Sequence, residues 1–394
     1  MRIAVAMSGG VDSSVVAKIL HDRGHDLVGL FLKLWSDPLS ENKSCQKENR
    51  CCNWEALEDA RMVAAKLEIP FYVIDAKVEF KKEVVDYFIE EYKNLRTPNP
   101  CIVCNETIKF DLLMKKALTI GCERLATGHY ARISQNSKFK KQNDKSKIKT
   151  EYNLLKGVDE TKDQSYMLYR LKQDQLSKVL FPLGEMRKKA VRDLAIEYDL
   201  PVKEKPESQE ICFFADRDYR TFLRRYLPEN YFLPGEIVDA EGNIIGKHDG
   251  LLNYTIGQRK GIDQNSKSNP SRLARAEEEI QNCSSELIND KSPLYVTGFD
   301  AKKNQLVVGF DEDVYKKEMV VSNLNFIHTP YPMLRTPDLK VKIRYHHPEI
   351  ACKVVKKNGE LIVKFRKPQR AITPGQSAVF YIGDEVIGGG VIKK

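Results

Sequence analysis

Nowhere in its 394 residues does the chain carry an apolar stretch as long as a membrane span. No basic and apolar leader precedes the first hydrophobic run, Ile3-Ala4-Val5-Ala6. Membrane and secretory roles are set aside on these grounds, and a cytoplasmic or organellar protein is expected, cytoplasmic first. A second C-x-x-C is also missing. Cys101-x-x-Cys104 stands alone, and the adjacent Cys51-Cys52 is geometrically awkward for one metal, which weakens a zinc finger or ribbon. Nine cysteines without a secretory leader point to reactive or metal-binding thiols rather than structural disulfides. The glycine turn near the N-terminus, finally, lacks the Lys-Ser/Thr that grips β- and γ-phosphates in a Walker loop.

What stands in its place is Ala6-Met7-Ser8-Gly9-Gly10-Val11-Asp12-Ser13, followed by Val15, Val16, Ile19 and Leu20 at helical spacing. The pattern is a strand, a tight turn and a helix N-terminus. Gly9 and Gly10 let the backbone approach a ligand closely. The first N–H groups and the dipole of the helix favour an anion there, most often phosphate. Two hydroxyls and a carboxylate beside two glycines argue against a bare connecting turn. Ser-Gly-Gly-x-Asp-Ser resembles the pyrophosphate loop of the N-type ATP pyrophosphatases, which cut ATP between its α- and β-phosphates and leave AMP on an oxygen.

At this length two or three domains are expected, and 42% hydrophobic residues suffice for their cores. Strand-like runs at Leu27–Leu32, Phe71–Ile74 and Arg124–Thr127 alternate with helical patterns at Trp54–Leu67, Val78–Leu95 and Met186–Tyr198. Residues 1–215 therefore read as an α/β domain with a doubly wound parallel sheet. Ligands lie beyond the carboxyl ends of such strands, and the first loop, Leu32 and Gly128 share that edge, which implies one nucleotide pocket. Residues 216–292 read as a small central domain with an insertion at Asp263–Ser292. Residues 293–394 hold closely spaced antiparallel strands, with a hairpin turn at Asn358-Gly359, and read as a C-terminal β-barrel. Ser134–Glu151, with six lysines and few large apolar residues, reads as a solvated and mobile insertion.

The formal charge is +9, and residues 293–394 carry 17 Lys and Arg against 10 Asp and Glu. That surplus fits a polyanionic partner, nucleic acid before an anionic membrane, or else a merely solvated face. Lys340, Lys342, Arg344 and His346 would share one strand face there, opposite Leu339, Val341, Ile343 and Tyr345.

Thr97-Pro98-Asn99-Pro100-Cys101 precedes a helical pattern that resumes by Phe110, so Cys101 and Cys104 lie near a helix start where the dipole favours thiolates. Such a pair suits half a zinc site, a redox pair or a sulfur-handling site. Cys212, among apolar neighbours, would by itself be read as a core residue. Other stretches bear on the choice: Thr127-Gly128-His129-Tyr130, Lys162-Asp163-Gln164-Ser165-Tyr166, Pro206-Glu207-Ser208-Gln209-Glu210-Ile211-Cys212-Phe213, Tyr254–Gly261, Ile343-Arg344-Tyr345 and Pro374-Gly375-Gln376. With the first loop, Thr97-Pro98-Asn99-Pro100 and Cys104-Asn105, they make nearly the whole chain resemble the bacterial-type tRNA-specific 2-thiouridylases.

That resemblance implies ATP binding, with Mg2+, by Ala6, Met7, Ser8, Gly9, Gly10, Val11, Asp12, Ser13, Leu32 and Gly128. It implies a target base facing Asn99, Pro100 and Cys101, with Cys104 as nucleophile and Cys212 as persulfide carrier. His129, Lys162, Asp163, Gln164, Arg344, Tyr345 and Gln376 would touch the tRNA. The implied target is the wobble uridine of the anticodon, and the implied partners are tRNA and a persulfide sulfur donor protein, with no membrane. Turnover would leave a Cys104–Cys212 disulfide for reduction. The family often carries Asp where this chain has Cys101. Thiols at Cys101, Cys104 and Cys212 would also suit a [4Fe–4S] cluster with one open iron. The persulfide route is preferred because it uses only the two better-matched cysteines. A ligase that adds ammonia would need a glutaminase motif, which the chain lacks. A non-catalytic tRNA-binding protein is disfavoured by the intact Ser-Gly-Gly-x-Asp-Ser.

Overall fold

The computed structural model describes residues 1–39, 54–138, 149–206, 211–213, 218–262, 293–328, 334 and 336–393. The expected insertion at 263–292, the middle of the lysine-rich stretch (139–148) and residues 207–210 beside Cys212 lie outside these, as do Cys45, Cys51, Cys52 and Cys283.

Strand β1 (Arg2–Ala6) is the centre of a parallel sheet. It pairs with β2 (Asp26–Lys33) on one side, which pairs in turn with β3 (Phe71–Asp75). On the other side it pairs with β4 (Arg124–Ala126), next to the short strand Val179–Leu180. Alternation along β1 explains the layers on both faces. Ile3 and Val5 join a core with Val15 and Val16 of α1 (Val11–Asp22), Ala60 and Val63 of α2 (Trp54–Lys66), and Val191 of the helix Lys188–Glu197. Ala4 joins the opposite core, with Phe110, Leu113 and Ala117. The doubly wound parallel sheet expected from the alternating pattern is what these residues form.

The helix that carries the cysteine pair begins earlier than expected. Pro100–Val103, Cys104–Leu113 and Met114–Thr119 run on without a break, the middle part wound as a π-helix. Pro100 takes the first helical position, where its missing N–H costs nothing, so the second proline starts the helix rather than delaying it.

The lysine-rich stretch also departs from expectation. Its two arms are the paired strands β5 (Ala131–Lys138) and β6 (Lys149–Lys156), in register from Ala131 opposite Lys156 to Lys138 opposite Lys149. Ala131, Ile133, Tyr152 and Leu154 explain this, because they alternate onto the core beneath β4 and fix the pairing despite the lysine content. Leu155 pairs with Glu385, which stitches this hairpin to the C-terminal sheet.

That sheet closes on itself. Tyr315–Phe326 pairs with both Glu360–Arg370 and Glu385–Ile392, and Ile350–Lys357, Lys340–Lys342 and Ser377–Ile382 complete the circuit. Leu339, Val341 and Ile343 point inward, as their alternation with Lys340 and Lys342 requires. Asn358 and Gly359 both take positive φ, the geometry of the two-residue hairpin turn read from their sequence. The strands just after residue 293 belong elsewhere, however. Tyr295–Asp300 and Gln305–Gly309 pair with Gly235–Val238 and Ile244–His248 in a separate central sheet, so the strands of the barrel start at Tyr315.

The barrel sits against the α/β domain through specific polar contacts. Thr97 N–H donates to the Pro374 carbonyl at 2.9 Å, and Tyr166 hydroxyl donates to the Ser377 carbonyl at 2.8 Å. These contacts bring Tyr345, from the barrel, to the rim of a cavity in the α/β domain.

Candidate active site

The cavity has a volume of about 410 Å3 and lies beyond the carboxyl ends of β1, β2 and β4. One wall is the first loop. Gly9 has φ +68°, and a Cβ on it would stand 2.0 Å from the Ala56 carbonyl oxygen, so only glycine fits. Gly128 meets the loop from the end of β4, where a Cβ would come within 3.0 Å of Asp12 Cβ. Inside the loop, Ser13 Oγ donates to the Gly10 carbonyl at 3.1 Å and accepts from Ser8 N–H at 3.1 Å. Ser13 therefore holds the loop's shape. The Asp12 carboxylate receives Lys188 Nζ on both oxygens, at 2.7 and 2.8 Å, and the Tyr130 hydroxyl on Oδ1 at 2.8 Å. Lys188, at the start of its helix, and Tyr130 were not picked out as site residues from sequence. Lys188 lies 176 positions from Asp12 and carries no spacing signal.

The opposite wall is the helix that starts at Pro100. Cys104 is buried, Cys101 exposed and Cys212 intermediate, and all three line the same cavity as Ser8, Asp12 and Ser13. Cys212 is carried there by its neighbour. Phe213 is fully buried and packs edge-on against Phe80, Phe88 and Phe222, with ring centroids 5.9, 5.5 and 5.6 Å away. Among the described residues no three His, Cys, Asp or Glu side chains are grouped so as to hold a metal ion. Cys101, Cys104 and Cys212 form no such group, so they do not fit an iron–sulfur cluster in this arrangement.

Asn99, Pro100, Leu32, Gln164 and His129 fall at or beside the cavity, though not all in the way expected. His129 is buried, its ring near those of Phe110 and Phe181, with Nδ1 2.7 Å from Thr127 Oγ1. Burial first, and the charge of Lys109 second, hold its imidazole well below the usual 6.5. It faces the cavity as a neutral ring. Gln164 lines the cavity and accepts from Tyr130 N–H at 3.0 Å. Tyr345 reaches in from the barrel, its hydroxyl pushed up to about 12 by burial, then by Asp163 and Cys101.

Three expected tRNA contacts are engaged inside the protein. Asp163 is buried and accepts from Gly157 N–H, Ser165 N–H and Ser165 Oγ. Arg344 donates to the Arg370 and Ala371 carbonyls, tying barrel backbone together. Gln376 donates to the Thr97 carbonyl at 2.9 Å and so holds the approach to Cys101. Lys162 is half-buried at the turn before Asp163.

Comparison with known proteins agrees with this architecture. Residues 1–216 match the tRNA methyl transferase HUP domain, residues 220–310 the tRNA methyl transferase PRC-barrel domain, and residues 316–392 the aminomethyltransferase beta-barrel domain. A tRNA-specific 2-thiouridylase MnmA 2 of Thermoanaerobacter sp. (strain X514) is 43% identical over all of this chain and 98% of its own length. The tRNA-specific 2-thiouridylase MnmA of Symbiobacterium thermophilum is 41% identical over all of this chain and 92% of its own length. With that identity sustained across all three domains, the chain belongs to the tRNA-specific 2-thiouridylase family.

Proposed function

We propose that this chain is a transferase that uses ATP to replace the C2 oxygen of the wobble uridine of tRNA with sulfur. The observation that carries the reading is the meeting of the Ser-Gly-Gly-x-Asp-Ser loop and two cysteines, Cys104 and Cys212, in one cavity.

A uracil C2 carbonyl is a poor electrophile with a poor leaving group. The C2 oxygen attacks the α-phosphorus of ATP, and pyrophosphate leaves. The N–H groups at the start of α1 and the glycine turn stabilise the charge that develops there. Asp12 Oδ2 keeps a lone pair beyond its contact with Lys188 and would hold an oxygen-seeking Mg2+, which would supply positive charge for the departing pyrophosphate. The terminal sulfur of a Cys212 persulfide then attacks C2, and AMP leaves. Cys104 thiolate attacks Cys212 Sγ, which breaks the S–S bond, frees the 2-thiouridine and leaves a Cys104–Cys212 disulfide for an external thiol. Sulfur reaches Cys212 from a persulfide donor protein. The target base must leave its stack to enter such a pocket.

The test is incubation with ATP, Mg2+, unmodified tRNA and a persulfide donor. AMP, pyrophosphate and thiolated tRNA in equal amounts are expected. ADP and phosphate as products would overturn the assignment.

A further inference from the structure

We propose that Asn105, seconded by Lys109, is the residue that selects uracil, by accepting the N3–H of the target base. The proposal rests on the reading of the cavity as the pocket where that base reacts.

Asn105 is 3% exposed and lines the cavity. Its Nδ2 donates to the Met167 carbonyl at 3.0 Å, and because a carbonyl can only accept, the amide cannot be turned round. Oδ1 is thereby set at the other end of the group. It is buried and has no hydrogen-bond partner among the described residues, which is rare for an acceptor of this kind. Lys109 lines the same cavity, half-buried, and makes no hydrogen bond or ion pair with the described residues. Asn105 and Lys109 are four positions apart on the helix, so they share a side, and the π-helical winding brings Lys109 about one turn from Cys104.

Cys104, Asn105 and Lys109 thus line the same cavity. A uracil ring presents C2, N3–H and O4 along one edge. With C2 toward Cys104, N3–H meets the orphan acceptor and O4 meets the ammonium. Cytosine reverses both polarities, with a bare N3 and an amino group at C4, so acceptor faces acceptor and donor faces cation.

The test is binding in the absence of ATP, where no chemistry intervenes, to tRNA whose target uridine is replaced by N3-methyluridine, which loses the N3–H and keeps both carbonyls. Native enzyme should bind it about 10-fold more weakly than uridine tRNA. Asn105→Ala should bind uridine tRNA more weakly than native enzyme and treat the two RNAs alike. If the variant keeps the native ratio, or if native enzyme does not distinguish the RNAs, the proposal is overturned and the thiolation reading stands. No thiolation of uridine by native enzyme would instead sink that reading. Should Asn105→Ala melt below the assay temperature, Asn105→Ser replaces it: its hydroxyl is too short to reach where Oδ1 stood, so loss of the uridine preference supports the role and the native ratio overturns it.

Discussion

On the loop wall of the cavity, Asp12 is tied to Lys188 and Tyr130, and Ser8, Gly10 and Ser13 are tied to one another. On the facing wall, Asn105 Oδ1 is buried without a partner among the described residues, and Lys109 stands half-buried with no ion pair among them. Both walls hang from rigid elements, the loop between β1 and α1 and the helix from Pro100. The difference lies in what has already been satisfied. A site that must stabilise a departing pyrophosphate works best when its dipoles are fixed beforehand, because reorganising them during reaction costs rate. A site that must admit a flipped base and choose among bases works best when its polar groups are satisfied only by the right one.

The strongest way to break this division is to alter the cysteines. Cys104→Ser or Cys212→Ser should reduce thiolation to background while tRNA-dependent pyrophosphate release stays within a few-fold of native. Loss of both activities together would mean that the walls do not act separately. On the loop wall, Gly9→Ala should cost about 3 kcal/mol or more in denaturant unfolding, since it combines a positive φ with a backbone clash against Ala56. Pyrophosphate release should fail with it. Lys188→Met removes the cation from a carboxylate that then faces the phosphates alone. We expect KM for ATP to rise about tenfold, the worth of one charged hydrogen bond, with the affinity for tRNA unchanged.

The smallest effect sharpens the comparison from the side of His129. Its folded pKa is depressed, so the unfolded chain takes up a proton that the buried ring refuses. The stability it contributes is complete above the unfolded value of 6.5 and is lost as pH falls below it, by up to about 1.4 kcal/mol per pH unit. Denaturant curves for native protein and His129→Asn should converge on acidification from pH 7 to 5.5. Parallel curves would show that the ring is not held neutral by burial.

Much of the first wall was legible in the amino-acid order. Ser8 to Ser13 are contiguous, and glycines between a strand and a helix have one efficient use, so the loop and its place at the sheet edge follow from local rules. The hairpin turn at Asn358-Gly359 and the inward Leu339, Val341 and Ile343 were legible for the same reason, since period and turn chemistry are local. The second wall was only partly so. Cys104 and Cys212 stood out through resemblance, whereas Asn105 figured only as part of the matching Cys104-Asn105, with no role, and Lys109 not at all, because a polar residue in a helix has many uses until burial is known. The lysine content of Ser134–Glu151 suggested solvent, whereas four alternating apolar side chains in its arms and their flanks decided for a paired hairpin.

Sequence by itself determined the strands of the parallel sheet, the glycine turn at its edge and the barrel's inward face, because each depends on residues within a few positions of one another. Tertiary structure alone decided which strands after residue 293 join the central sheet, that Asp163, Arg344 and Gln376 make hydrogen bonds within the protein, and that Lys188 closes on Asp12 across 176 positions. Those pairings are set by which surfaces meet when the domains dock, and no local periodicity encodes a contact whose partners come together only after the chain has folded.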